Sequence, residues 1–311
     1  MIKILTNDGI EKSASEKLKT LGFVVDENHL EKEDLELAVQ HIDVLTVRSA
    51  SKVTKEIIDA AMITGRLKLI IRGGVGIDNI DADHAHKNGI IVANTPNASS
   101  ASVAEIVIGH MFSMARYIGI SNVTMRKGEW NKKQYEGIEL AGKTLGLIGS
   151  GRIAQETARI ANALGMKIIY TNRTGAKECF LNYSYYDLPD LLKKSDFISL
   201  HIPFSKGEKP LIGAKELAEM KDGVFIINTA RGGIVDEKAL LAAIESGKVA
   251  GAAIDVFEEE PTTNADLCAC SRVSVTPHIG GSTKEAQERI GDEVVAIIGR
   301  FFNKEVSNAT V

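Results

Sequence analysis

Leu145-Gly146-Leu147-Ile148-Gly149-Ser150-Gly151-Arg152-Ile153-Ala154 is a strand-like apolar run that breaks into a glycine turn and then into a helical stripe of Ile153, Thr157, Ile160 and Leu164. Glycine is needed twice, for separate reasons. Gly149 lets the chain turn sharply, and Gly151 lets backbone N–H groups approach a pyrophosphate at the helix start with no Cβ in the way. Ala154 is tolerated at the third position. Alone, such a triplet also describes an ordinary tight turn; between a strand and an amphipathic helix it predicts dinucleotide binding. The next strand should end on an acid that holds the adenosine ribose, yet it ends Tyr170-Thr171-Asn172-Arg173-Thr174. Asn172 can still hydrogen-bond a ribose, and Arg173 either pairs with a 2′-phosphate or stands in solvent. NAD or NADP is therefore expected, with NADP at least tolerated.

The same alternation extends outward from this turn. Downstream, Lys167 to Tyr170, Phe197 to Leu200, Val224 to Ile227, Ala250 to Ile254 and Val273 to Val275 read as strands. Upstream, Ile2 to Thr6, Phe23 to Val25, Val44 to Val47, Leu69 to Arg72 and Ile90 to Val92 do the same, with helical spacing between them at Leu35, Ala38, Val39 and at Ile57, Ile58, Ala61. Strands separated by crossover helices must be parallel, so the reading is α/β with two doubly wound parallel-sheet domains. The seam falls at Asn94 to Ser102, where Pro96 and a Ser/Ala/Asn-rich stretch precede Ser102-x-x-Glu105, an expected capping box. A second box, Ser282-x-x-Glu285, is expected to open the last helix, which is free to return to the first domain.

A chain of 311 residues suits about two domains and can bury roughly three quarters of its unfolded surface. With 44% apolar and 25% charged residues and six prolines, disorder, collagen and coiled coil are excluded. The net charge of -4 provides no basic field for nucleic acid or an anionic membrane, and neither is expected as a partner. Asn7 and Asp8 interrupt the apolar stretch a leader would need, and no apolar run approaches 18 residues. Three cysteines, Cys179, Cys268 and Cys270, suit a reducing compartment, so a cytoplasmic location is expected. No metal is expected: His84-x-His86 sits in a helical segment where residues two apart diverge, and Cys268-x-Cys270 lacks companion ligands. His110 is read as facing a helix packing partner. The basic stretch Arg126 to Lys133 around Trp130 is read as a solvated or subunit-contacting face.

Three polar segments follow strands of the second sheet: Asn228-Thr229-Ala230-Arg231-Gly232-Gly233, Asp255-Val256-Phe257-Glu258-Glu259-Glu260-Pro261 and Pro277-His278-Ile279-Gly280-Gly281. Carboxyl ends of parallel strands form the ligand crevice of such sheets. An arginine, a carboxylate and a histidine delivered there can clamp a substrate carboxylate, orient an imidazole and shuttle a proton. Singly, Arg231 also fits a surface ion pair, Glu260 an acidic turn and His278 a packed loop.

Taken in order and spacing, these segments resemble the D-isomer-specific 2-hydroxyacid dehydrogenases along nearly the whole chain. The resemblance implies that Arg231 binds the substrate carboxylate and carbonyl, that Glu260 orients His278, and that His278 is the acid/base. It implies a flavodoxin-like substrate domain from residues 1–94 with 285–311 and a Rossmann domain over 95–284. Further cofactor contacts are expected at Arg152, Ile153, Pro203, Thr229, Asp255 and Gly280. Val47 to Thr54, Ile71 to Asn79 and Asn94 to Asn97 look most like the phosphoglycerate-oxidising members, which act in serine biosynthesis. Arg48 and Arg72 are then candidates for a substrate phosphate and the N–H groups at Val75 and Gly76 for its carboxylate. Glyoxylate or hydroxypyruvate reduction is the alternative, and a dinucleotide-sensing corepressor-like scaffold is an alternative of another class. A homodimer is expected, and the regulatory domain of some relatives is not.

Overall fold

The structure is a computed structural model that describes residues 1–180, 182–205 and 207–303, so the end of the expected 285–311 segment lies outside the described residues. The chain divides into two compact units. One combines Met1–Ser99 with the segment that begins at Gly281, and the other is Ser100–Gly280.

The first unit alternates strands β1 (Lys3–Thr6), β2 (Val24–Asp26), β3 (Val44–Val47), β4 (Leu69–Arg72) and β5 (Ile91–Asn94) with helices α1 (Lys12–Thr20), α2 (Lys32–Ala38), α3 (Lys55–Met62) and α4 (Ala82–Lys87). Its sheet runs β2-β1-β3-β4-β5, parallel throughout, the doubly wound order of flavodoxin-like domains. Side chains on a strand alternate between faces, so an apolar strand feeds two cores. Leu5, Leu45 and Ile70 pack with Ile57 and Ile58 on one face, whereas Ile4, Val44 and Leu69 pack with Leu18 on the other.

The second unit contains α5 (Ser100–Arg116), α6 (Ile118–Arg126), β6 (Thr144–Ile148), α7 (Arg152–Ala163), β7 (Lys167–Thr171), β8 (Ser184–Tyr185), α8 (Leu188–Lys194), β9 (Phe197–Leu200), α9 (Ala214–Glu219), β10 (Val224–Asn228), α10 (Glu237–Glu245), β11 (Val249–Ile254), α11 (Ala265–Ala269) and β12 (Val273–Val275). Its sheet runs β12-β11-β10-β9-β6-β7-β8, again all parallel. The order reverses between β6 and β9, which leaves a crevice at their carboxyl ends, the position where Rossmann sheets bind ligands.

The last helix, α12 (Lys284–Phe301), belongs to the first unit and lies on α1 and the β1/β3 face through Ile290, Val294, Val295 and Ile298. The approach is close: a Cβ at Gly291 would stand 2.7 Å from the Ala14 Cβ.

Several local expectations are corrected. Strands β2 and β5 begin one residue later than expected, because Phe23 and Ile90 fill the core from the preceding turns. Helix α5 opens at Ser100, so Ser102 is a buried residue of its first turn, not a cap. Helix α12 is capped by Thr283, whose hydroxyl accepts from Ala286 N at 3.1 Å; Ser282 is one residue too early and no acid stands at the third position. The two-residue edge strand β8 and helix α6, which buries no residue, leave no apolar pattern to read. Among the described residues no single helix is long and apolar enough to cross a membrane, and no group of three His, Cys, Asp or Glu side chains could hold a metal.

Candidate active site

Six of the strands in the second unit deliver polar turns to one edge of the sheet. After β6, Gly149 has φ +110°, and a Cβ there would stand 2.3 Å from the His201 carbonyl oxygen. That position accepts only glycine, because the β6 and β9 turns meet backbone to backbone. Gly151 is different: it precedes α7 in extended geometry, and a Cβ would meet nothing within 4 Å. The space above it is free for a ligand, and Arg152 and Ile153 begin the helix beside it. Asn172 follows β7 and donates to Thr174 Oγ1 at 3.1 Å; Arg173 beside it is exposed. Pro203 follows β9. Thr229, after β10, keeps a buried Oγ1 without a hydrogen-bond partner among the described residues. An open glycine turn at a helix start after β6 and an orphaned buried hydroxyl after β10, two strands away at the same edge, suit a dinucleotide.

Arg231, Glu260 and His278 lie on the turns after β10, β11 and β12. His278 Nδ1 and Glu260 Oε2 are 2.8 Å apart, and Glu260 Oε1 accepts from Phe257 N at 3.1 Å. Burial alone would raise the Glu260 carboxyl; the His278 hydrogen bond and charge, the Phe257 N–H and Arg231 together hold it below its ordinary value. A depressed carboxyl contributes its pairing fully above the ordinary glutamate range and loses it as pH falls through the folded value, so the pair persists at neutral pH. Arg231 donates to Ala230 O at 2.6 Å, and Asn228 ties the same turn through Arg231 O at 2.8 Å.

Asp255 is buried, and both its carboxylate oxygens are in use. Oδ1 accepts from Thr276 Oγ1 at 2.6 Å and from Ile279 N at 2.9 Å, and Oδ2 accepts from Gly280 N at 2.9 Å. Asp255 and Gly280 thus build the turn that carries His278. The reading of His110 is corrected: its partners are Ser274 and Thr276 on and after β12, not a helix. Sequence reasoning missed His201. Burial pushes its imidazole down to about 3, so it is neutral, and Ser199 Oγ lies 3.0 Å from Nε2. Its place directly after β9 at the switch point was the available signal.

In the first unit, Arg48 follows β3 and Arg72 is the last residue of the adjacent strand β4. The Arg48 turn is held by Asp8 Oδ2, which accepts from Arg48 N at 2.6 Å and Ser51 N at 3.0 Å, and by Asn79, which donates to Arg48 O at 2.7 Å. The Arg72 guanidinium lies across Gly74, where a Cβ would stand 1.5 Å from Nη1. Val75 and Gly76 continue this turn, and Asn94 donates to Val75 O at 2.5 Å.

Residues 108–280 match the profile of the D-isomer specific 2-hydroxyacid dehydrogenase, NAD binding domain. The chain is 48% identical over 297 residues to a hydroxypyruvate reductase of Thermotoga maritima, covering 94% of this chain and 96% of that one. It is 43% identical over 314 residues to a D-3-phosphoglycerate dehydrogenase of Methanocaldococcus jannaschii, covering 100% of this chain and 59% of the relative. A glyoxylate reductase structure from Paecilomyes thermophila superposes with a TM-score of 0.88 at 34% identity, covering 96% of this chain and 94% of that one. The chain belongs to the D-isomer-specific 2-hydroxyacid dehydrogenases, oxidoreductases that use a nicotinamide cofactor.

The two glycines should separate by experiment. Gly149→Ala should cost about 2–4 kcal/mol of folding stability through positive φ and backbone overlap. Gly151→Ala should stay within about 1 kcal/mol of wild type in urea unfolding. It should nevertheless weaken cofactor affinity about tenfold or more by fluorescence titration. Equal destabilisation by both would remove the distinction.

Proposed function

We propose that the chain interconverts D-3-phosphoglycerate and 3-phosphohydroxypyruvate, with the second unit holding the cofactor and the first the substrate. The observation that carries the chemistry is the His278–Glu260 pair beside Arg231. With Nδ1–H donated to Glu260, His278 Nε2 is left to exchange a proton with the substrate C2 oxygen. In reduction the imidazolium gives that proton to the forming alkoxide, and Glu260 offsets its charge. In oxidation the neutral ring takes the proton back. Arg231 is assigned to the substrate carboxylate and carbonyl, where a guanidinium offers paired donors and draws electron density from C2. A bound nicotinamide supplies or removes the hydride.

Residues proposed to hold the cofactor are Gly149, Gly151, Arg152, Ile153, Asn172, Arg173, Pro203 and Thr229. Asp255 and Gly280 shape the turn alongside. Asn172 has no charge to repel a 2′-phosphate, and Arg173 is free to approach one, which supports acceptance of NADP beside NAD.

Arg48 is assigned to the substrate phosphate and the Val75 and Gly76 N–H groups to its carboxylate, with Arg72 bracing that turn and adding positive charge. The second reading, reduction of unphosphorylated hydroxypyruvate, is favoured by the extent of the Thermotoga match. Both substrates share one carbon skeleton. A homodimer is part of the proposal, supported by exposed Ile118, Val123, Met125 and Trp130.

His278→Ala should lower kcat by about 10²–10⁴ and leave cofactor Kd nearly unchanged. Near-normal kcat in the variant would dismiss His278 as the acid/base.

Arg48→Ala should raise KM for 3-phosphohydroxypyruvate about ten- to a hundredfold while sparing hydroxypyruvate. Equal loss on both would show a structural role for Arg48 instead. Asn172→Asp should shift kcat/KM toward NADH over NADPH. A wild type with strong NADH preference, unmoved by the substitution, would place cofactor discrimination elsewhere.

A further inference from the structure

We infer that His110, on α5, is a positioning residue for His278, acting through Thr276 and Asp255; this rests on His278 being the acid/base proposed above. His110 is buried, and both its ring nitrogens are engaged: Nδ1 lies 2.9 Å from Ser274 Oγ, and Nε2 lies 3.0 Å from Thr276 Oγ1. Thr276 spends its single hydroxyl proton on Asp255 Oδ1 at 2.6 Å. Toward His110 it can therefore only accept, which places the imidazole proton on Nε2. Nδ1 then accepts from Ser274 Oγ at 2.9 Å and is a closer acceptor for that single hydroxyl proton than Ser113 Oγ at 3.3 Å. Each proton along the line from Ser274 to Asp255 points toward the carboxylate.

The far end of that line is the turn of His278. Asp255 Oδ1 and Oδ2 receive Ile279 N and Gly280 N, and the Asp255 carbonyl receives His278 N at 2.8 Å. His278 has φ +53°, a conformation that a residue with a Cβ keeps only when its surroundings impose it. His110 fixes where the Thr276 hydroxyl sits, Thr276 fixes one carboxylate oxygen, and the carboxylate fixes the two N–H groups after His278. Burial pushes the His110 imidazole down against the opposing charge of Asp255, which keeps the ring in the neutral form this line requires. Helix α5 is thereby tied to the imidazole that exchanges the proton, although His110 itself touches neither substrate nor cofactor turn.

The test compares His110→Leu, His110→Gln and His110→Asn in the full chain. Gln places an amide donor near the Nε2 position, whereas Asn reaches only the Ser274 side. His110→Leu and His110→Asn should lower kcat about five- to fiftyfold, since a small misplacement of a reacting group is costly. Cofactor Kd should be unchanged, and His110→Gln should recover most of the rate. Thr276→Val should lose at least as much, and adding His110→Leu to it should cost little more. Wild-type kcat in the Leu variant, a Gln variant no better than Asn, or additive losses in the double variant would each overturn the inference. Gln and Asn differ by one methylene and keep the comparison decisive if Leu does not fold. His278→Ala is assayed alongside. An inactive His278→Ala with an unaffected His110→Leu sinks only this inference, whereas an active His278→Ala sinks the reading beneath it.

Discussion

A carboxylate removed from water must be met by donors, and the buried Asp255 is met by a hydroxyl and two successive backbone N–H groups. Hydrogen bonds to a charged acceptor contribute roughly 1.5–3 kcal/mol each, whereas a non-glycine residue in the left-handed region costs about 1–3 kcal/mol. Three such bonds outweigh the strain at His278 and hold the turn that aims its ring at Glu260. Asp255 is itself fixed by the sheet, since its N–H bonds to Asn228 O at 3.0 Å on the neighbouring strand end. The site thus inherits the precision of β10 and β11.

The same economy of distance governs the other turns. Gly149 meets the His201 carbonyl, and a Cβ at Gly232 would stand 1.7 Å from the Phe257 carbonyl oxygen. Where Arg231 precedes Gly232 and Glu260 follows Phe257, this backbone contact brings two of the three polar side chains of the site close together. Side-chain chemistry is set by how closely main chains approach, and glycine at the contact makes that approach attainable.

The fold was largely legible because parallel strands buried on both faces read as apolar runs, and Val44–Val47 or Leu145–Ile148 could hardly be anything else. Strand ends then indicated where chemistry would gather, and Arg231, Glu260 and His278 stand out because polar residues interrupt those runs there. Less was legible where spacing carries no signal. The Ser282 box matched a pattern, but the helix start was decided by which hydroxyl reaches an N–H, and Thr283 does. The partners of His110 were hidden because Ser274 and Thr276 lie more than 160 residues away along the chain. Only the packing of α5 on the sheet brings them within reach. Arg72 read as a candidate for the substrate phosphate, and its lying across Gly74 depends on a turn geometry that residue types alone do not dictate.

Because the first unit is closed by a helix encoded after the second, its assembly has a temporal side. When Ser99 has been synthesised, β1 to β5 exist, but the face formed by Ile4, Leu18, Val44 and Leu69 still lacks Ile290, Val294 and Ile298. The whole of Ser100–Gly280 must be made first. At about 5–20 residues per second this leaves an apolar sheet face uncovered for on the order of 10–40 s. The nascent chain is then exposed to chaperones and to its neighbours on the same message, while the inserted unit, continuous in sequence, can finish folding as soon as it emerges. The order of genes along a message is familiar as a regulator of assembly; here the order of segments within one chain plays that part.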